Sequence, residues 1–183
     1  YRGSKGYGQR FYQIAFSNGG QGGYKMQDDK DDGVAWAVAE GLASGDRVAM
    51  FGWSYGGYAA LVAASRTPQI YQCVIAGAAV TDPDMQVFFY RFRLRGRSKV
   101  EQLRMWDDSV APINEVEKVN VPILLIHGTV DQRVPLDHAK KYRRALLRAE
   151  KHHNYLELKG ADHFSNTLFF DHKLSLYESI LDY

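Results

Sequence analysis

The sequence predicts an α/β protein built on a mostly parallel sheet, and three observations carry that prediction. Four short apolar segments, beginning near Val48, Cys73, Val121 and Tyr155, have the length of strands. Segments with helical spacing separate them, and strands alternating with helices bury their apolar sides as a parallel sheet flanked by helices. Polar residues collect just after the C-terminal ends of the strand segments, where open α/β sheets bind ligands.

The bulk composition sets outer bounds. The chain of 183 residues is one domain by the usual length prior and long enough to bury a sizeable core. A hydrophobic fraction of 45% beside 24% charged residues is ordinary for a globular protein, and the formal charge of +2 points to no polyanionic partner. Cys73 is the single cysteine, so no internal disulfide forms. That fits a reducing compartment, with the cytoplasm expected and export left open. There is no apolar run of about 18 residues, so no membrane-spanning helix is expected. The start, Tyr1 to Gly8, has neither an initiator Met nor the apolar centre of a signal peptide, so the chain is expected to be cut from something longer.

Residues 1–24 are rich in Gly, Tyr and Ser, with a glycine cluster from Gly19 to Gly23, and read as loop with a short helix around Arg10 to Phe16. Asp28, Asp29, Asp31 and Asp32 read as the first turn of a helix, where acids favour the positive end of the dipole. Val34, Ala35, Val38, Ala39 and Leu42 give that helix its apolar stripe, and Ser44-Gly45 its end. The strand Val48–Phe51 runs through Gly52-Trp53-Ser54-Tyr55-Gly56 into a helix former that stops at Thr67-Pro68. Cys73–Val80 is a second strand, with Cys73 as a small buried hydrophobe. Residues 81–119 mix aromatic and basic side chains, Phe88 to Arg97 above all. Val121–His127, the most apolar run, reads as a central parallel strand. The helix 136–149 buries Ala139, Tyr142, Leu146 and Ala149, and Tyr155–Leu158 alternates as an outer strand does. Ser165 or Asn166 caps a last helix striped by Phe170, Leu174, Tyr177 and Leu181.

The Gly-x-Ser-x-Gly segment between the first strand and its helix has the context of a nucleophile elbow. A strand that becomes a helix within a few residues strains the central serine, and side chains two positions either side are expected to meet neighbouring backbone. The strain projects the Ser54 hydroxyl, and the Tyr55 N–H at the helix start points toward a developing oxyanion. A serine needs a base and the base an orienting acid. Asp131 follows the central strand and His163 the next one, in the chain order Ser, Asp, His of α/β-hydrolases. His127 reads as a core residue, His138 and His172 as helical, and His152 and His153 as part of a polar connection. Asp162 follows an outer strand, a poor place for the acid.

Four blocks in order resemble the catalytic domain of the prolyl oligopeptidase family: Tyr1 to Gly8, Gly52 to Tyr58, His127 to Pro135, and Asp162-His163. Gly22-Gly23 with Met26 to Asp29 looks like the dipeptidyl or acylaminoacyl peptidase branches. The resemblance implies an α/β-hydrolase fold with catalytic Ser54, Asp131 and His163, the Tyr55 amide in the oxyanion hole, and Arg133 on a substrate carbonyl. It places Tyr55, Tyr58, Val80 and Val134 in an apolar specificity pocket, with Phe89 and Tyr90 either joining them or packing a helix on the sheet. It further implies that residues 1–183 are the C-terminal part of a catalytic domain, without the family's first strands, its upstream oxyanion tyrosine, its N-terminal β-propeller and its glutamate pair for a free N-terminus.

The function expected is hydrolysis of short peptides through an acyl-enzyme, with upstream strands and a β-propeller as partners and no metal or organic cofactor. A carboxylesterase or lipase-like hydrolase is the alternative, since ester and amide substrates share the acyl-enzyme chemistry. Arg91, Arg93, Arg95, Arg97 and Lys99 among aromatics could form a nucleic-acid patch, but the balanced net charge favours a solvated helix face or a domain contact.

Overall fold

The computed structural model describes residues 1–15, 22–106, 108–164 and 166–183, and of Arg97, Ser98, Glu101, Gln102 and Met105 the backbone alone. The elements in chain order are α1 (Gln9–Gln13), α2 (Lys25–Ala39), β1 (Ala49–Trp53), α3 (Tyr55–Ala63), β2 (Cys73–Gly77), α4 (Pro83–Arg93), α5 (Gly96–Trp106), β3 (Ile123–Gly128), α6 (Asp137–Arg148), β4 (His153–Leu158) and α7 (Phe170–Leu181). Phe16, most of the glycine cluster (Gly19 to Gln21) and Ser165 lie outside the described residues. The chain forms two compact units, Val48–Thr81 with Pro112–Tyr183, and Tyr1–Arg47 with Asp82–Ala111.

The first of these units holds the expected sheet. Its strands lie in the order β1-β2-β3-β4, every neighbouring pair parallel. In register, Phe51 faces Ile75, Ile75 faces Leu124, and Leu124 faces Asn154. Side chains alternate across a strand, so each strand feeds two faces. Ile75, Leu124, Ile126 and Leu158 point to one face and pack with Ala161, Leu168 and Leu176, closed by Trp53, Leu156, Ile180 and Tyr183. Ile123, Leu125 and His127 occupy the other face of β3, all fully buried. Helix α3 is buried from Gly57 to Ala63, because small residues let it lie close over β1 and β2. Helix α6 buries Ala139, Tyr142 and Leu146, a turn apart as expected, with His138 beside them, while Ala149, expected in the same stripe, is the half-buried C-cap.

Three expectations about β4 and α7 fail in this unit. Strand β4 begins at His153, two residues before the alternating segment, so His153 belongs to a strand and not to a polar connection. The stripe assigned to α7 faces outward: Phe170, Leu174, Tyr177 and Leu181 are all exposed, and the helix buries Leu176 instead. Two apolar stripes run along this helix, and the one with Leu176 and Ile180 packs on the core. The helix starts later than either Ser165 or Asn166 would cap it, with Phe169 at the N-cap position. There the Phe169 N–H donates to His172 Nδ1 at 3.3 Å.

The second unit is helical. Asp82 caps α4, its Oδ1 accepting the Met85 N–H at 3.1 Å, with Pro83 in the first turn where its missing N–H costs nothing. Helix α2 starts at Lys25, so only Asp28 of the acidic run stands in its first turn. Asp29 instead takes a forked ion pair from Arg2, with Nε at 2.8 Å and Nη2 at 2.6 Å, plus the Arg2 backbone N–H at 2.7 Å. The expected stripe of α2 is not a buried face either. Met26 and Gln27 are the buried positions, while Trp36 and Leu42 are well exposed. The helix stops at Ala39 with Gly41 at φ 71°, before Ser44-Gly45, so Leu42 is not on it. On α4 the Phe88 and Phe92 rings are exposed and meet edge to face at 5.7 Å, while Tyr90 is buried. The Arg93 guanidinium lies 4.1 Å over the Phe89 ring.

Candidate active site

Strand β1 ends at Trp53 and α3 begins at Tyr55, so Ser54 alone makes the turn between them. Its φ of 60° and ψ of −116° are a conformation that a side-chain-bearing residue adopts only when its surroundings insist. They do so from both sides. The Ser54 N–H donates to the Gly77 carbonyl at 2.9 Å, and its own carbonyl accepts the Tyr58 N–H at 3.0 Å. A Cβ on Gly52 would overlap the backbone of Gly56, and one on Gly57 the carbonyl of Gly77. Gly56 itself has open space where a Cβ would stand, so backbone crowding requires the first motif glycine and not the second.

The loops after β3 and β4 are laced together. The Thr129 N–H donates to the Leu158 carbonyl and the Val130 N–H to that of Ala161, each at 3.0 Å, while the Gly160 N–H donates to Thr129 Oγ1 at 2.7 Å. The parallel ladder thus runs on past the strands, and it delivers Asp131 and His163 side by side. His163 Nδ1 lies 2.7 Å from Asp131 Oδ2, and His163 Nε2 lies 2.8 Å from Ser54 Oγ. An ionised carboxylate only accepts, so Nδ1 carries the proton and Nε2 is left to accept from the serine hydroxyl. Asp131 is buried at 5% exposure and His163 at 6%. Burial alone would push the Asp131 carboxyl up; the bonds from His163 Nδ1 and from the Val134 and Arg133 N–H groups, at 2.9 and 2.8 Å, hold it below the usual carboxylate value.

Sequence reasoning gave no role at this site to two neighbours that touch it. The Trp53 indole N–H donates to the His163 carbonyl at 2.7 Å, fixing the histidine's backbone from the serine's own strand. The motif spacing carries no sign of this bond. His127, read as a core residue, is fully buried, yet its Nε2 lies 2.9 Å from the Val134 carbonyl and 3.5 Å from Asp131 Oδ2. The other polar candidates have local partners. His138 Nδ1 accepts the Thr81 N–H at 3.2 Å, and Asp162 Oδ1 accepts the Phe164 N–H at 3.0 Å and the Thr167 hydroxyl.

Of the expected substrate-contacting residues, Tyr55 is half-buried at the first position of α3 and Arg133 is exposed, its guanidinium 5.5 Å from the Phe164 ring. Tyr58, Val80 and Val134 are enclosed, at 0%, 2% and 2% exposure, so they present no surface of their own in this conformation. Tyr90 belongs to the helical unit, buried on α4 with its ring 5.8 Å from that of Phe89.

A sequence model of the prolyl oligopeptidase family matches residues 1–183. The chain is 33% identical over 146 residues to dipeptidyl aminopeptidase BIII of Pseudoxanthomonas mexicana, covering 73% of this chain and 20% of that one. It is 32% identical over 167 residues to dipeptidyl peptidase family member 6 of Caenorhabditis elegans, covering 84% and 21%. Among solved structures, the Pyrococcus horikoshii acylaminoacyl peptidase superposes with a TM-score of 0.82 at 21% identity, over 99% of this chain and 30% of that one. The chain thus spans about a fifth of the length of the curated relatives it matches. The likeness in structure carries the α/β-hydrolase fold, and the match along all 183 residues carries the family. This chain belongs to the prolyl oligopeptidase family.

Proposed function

We propose that Ser54, His163 and Asp131 carry out acyl transfer from short peptides, as a serine peptidase. The observation that supports this most is the unbroken run of hydrogen bonds from Ser54 Oγ through His163 to Asp131, behind a strained serine. In this reading His163 Nε2 takes the hydroxyl proton as Ser54 Oγ bonds to the scissile carbonyl carbon. The carbonyl oxygen gains the negative charge and is met by the Tyr55 N–H, one of the first helical N–H groups that lack an intrahelical acceptor. Collapse breaks the C–N bond, and the imidazolium gives its proton to the departing amine. Water then repeats the sequence on the ester: His163 takes its proton, the hydroxide adds, and Ser54 leaves as the alcohol with that proton. Asp131 stays ionised throughout, holding the tautomer and offsetting the imidazolium charge.

Arg133, exposed beside the acid, is assigned to a substrate carbonyl. By family resemblance Tyr55, Tyr58, Val80 and Val134 are assigned to the specificity pocket, the last three as enclosed residues behind its surface. The test is fluorophosphonate labelling with Ser54→Ala as the control, followed by turnover of a peptidyl p-nitroanilide against a p-nitrophenyl ester. Labelling confined to Ser54 with amide turnover is the expected result. Ester turnover without amide turnover would move the chain to the esterases, and labelling that survives Ser54→Ala would remove the assignment.

A further inference from the structure

We infer that His127 is a positioning residue for the acid: its Nε2–H ties down the loop that carries Asp131, at the Val134 carbonyl and beside the carboxylate. The inference rests on the serine-peptidase reading for its catalytic meaning, and on geometry for its substance. His127 is the penultimate residue of β3, fully buried, on the sheet face it shares with Ile123 and Leu125. Its Nε2 faces two acceptors, the Val134 carbonyl at 2.9 Å and Asp131 Oδ2 at 3.5 Å. Two acceptors and no donor fix the tautomer, so Nε2 carries the proton. The Nδ1 atom has no hydrogen-bond partner among the described residues. His127 spends its single N–H where the loop closes.

The closure is a ring of two hydrogen bonds and one close approach. The Nε2–H of His127 reaches the Val134 carbonyl, the Val134 N–H reaches Asp131 Oδ1 at 2.9 Å, and Asp131 Oδ2 stands over the His127 nitrogen again. Residues 128–134 are thereby clamped at both ends, from the strand they leave and from the carbonyl where they turn. Arg133 lies inside the clamped segment, so one buried imidazole orders both the acid and the exposed cation. The titratable groups around the ring are Asp131, His163 and Glu157, its register partner on β4. Burial pushes the His127 imidazole down against the attraction of those carboxylates, which keeps it the neutral donor that the two acceptors require.

The test compares His127→Gln, whose amide nitrogen can occupy the Nε2 position, with His127→Asn, whose amide stops one bond short. Two readouts are taken on the full chain: kcat for a peptidyl p-nitroanilide, and the downfield Nδ1–H proton resonance of His163, which reports its bond to Asp131. His127→Asn is expected to lower kcat by about tenfold or more, the scale of effect known for outer partners of metal ligands, and to lose the resonance. His127→Gln is expected to keep both. Native kcat and an intact resonance in His127→Asn would overturn the inference, as would equal damage in both variants. The resonance is read on unreacted protein, so it decides on His127 even if the unmodified chain turns nothing over, an outcome that would count against the peptidase reading alone.

Discussion

Replacing Gly52 by Ala tests how the elbow is held. The added Cβ would overlap the carbonyl, the carbonyl carbon and the Cα of Gly56. All three are backbone of the first turn of α3, so no flexible side chain can swing away. Inserting a methyl into well-packed protein costs about 1–3 kcal/mol, and a rigid obstacle puts this case at the upper end. For a domain of this size each kcal/mol moves Tm by about 2–4 °C, which gives a fall of about 6–12 °C for a 3 kcal/mol loss. Gly56→Ala is the control: its Cβ meets nothing, and alanine is worth up to about 1 kcal/mol over glycine in a helix interior. The pair is compared by thermal unfolding and by the rate of fluorophosphonate labelling at Ser54. The expected result is a destabilised, slowly labelled Gly52→Ala beside a Gly56→Ala with native or higher Tm. A Gly52→Ala chain that melts and labels like the native one, or a Gly56→Ala just as damaged, would refute the claim that backbone crowding requires glycine at 52 and not at 56.

Other perturbations follow from individual contacts. Tyr142 is fully buried with no hydrogen-bond partner for its hydroxyl among the described residues, so Tyr142→Phe is expected to hold or raise stability, by up to about 1 kcal/mol in denaturant titration, and a clear loss would count against it. Asp29 is held down to about 2 from 3.8, chiefly by the Arg2 hydrogen bond, so its pairing stabilises fully above pH 3.8 and is lost as pH falls through about 2. The stability gap between the native chain and Asp29→Asn is therefore expected to stay constant above pH 4 or so and to close below it; a gap that widens in acid would contradict the sign. Leu176→Ala should cost about 2–4 kcal/mol and Leu181→Ala within about 0.5, and equal losses would mean that the outward stripe of α7 is buried after all.

What could be read from the chain alone divides along physical lines. The four strands were legible because a buried parallel strand is a continuous apolar run, and Val121–His127 has no other reading. Tyr142 and Leu146 were legible as core because α6 carries one apolar stripe and a charged remainder. Helix α7 carries two stripes, and which one is buried depends on the sheet beneath it, information that lies in Ile75, Leu124 and Ile126 rather than in the helix. Helix α2 fails for a related reason: every residue from Val34 to Ala39 is apolar, so the stripe read there was one of several the segment allows. At the elbow the motif marked the glycines, but only the path of α3 distinguishes Gly52 and Gly57, which touch backbone, from Gly56, which does not. The bonds of Trp53 and His127 were out of reach, because each joins residues whose nearness is made by the loops.

The strand order explains why those two bonds are needed. The serine leaves β1 and the histidine leaves β4, three strand spacings apart, about 14 Å at the usual separation. The acid leaves β3, between them. A histidine on the β4 loop must therefore cross over the end of β3 to reach the serine, and the acid it passes is what it pairs with. Proximity of Asp131 and His163 follows from neighbouring strands and the continued ladder; proximity of His163 and Ser54 does not. That second distance has to be held by something spanning the gap, and the Trp53 indole, rising from β1 to the His163 carbonyl, is such a span. The clamp of His127 on the Asp131 loop does the same for the middle position, keeping the acid fixed while the imidazole reaches past it. One pairing of the relay, Asp131 with His163, is thus set by the sheet, while the reach of His163 to Ser54 is held by the side-chain bonds of Trp53 and His127, and those two are where single substitutions outside the Ser-His-Asp set should weaken it most.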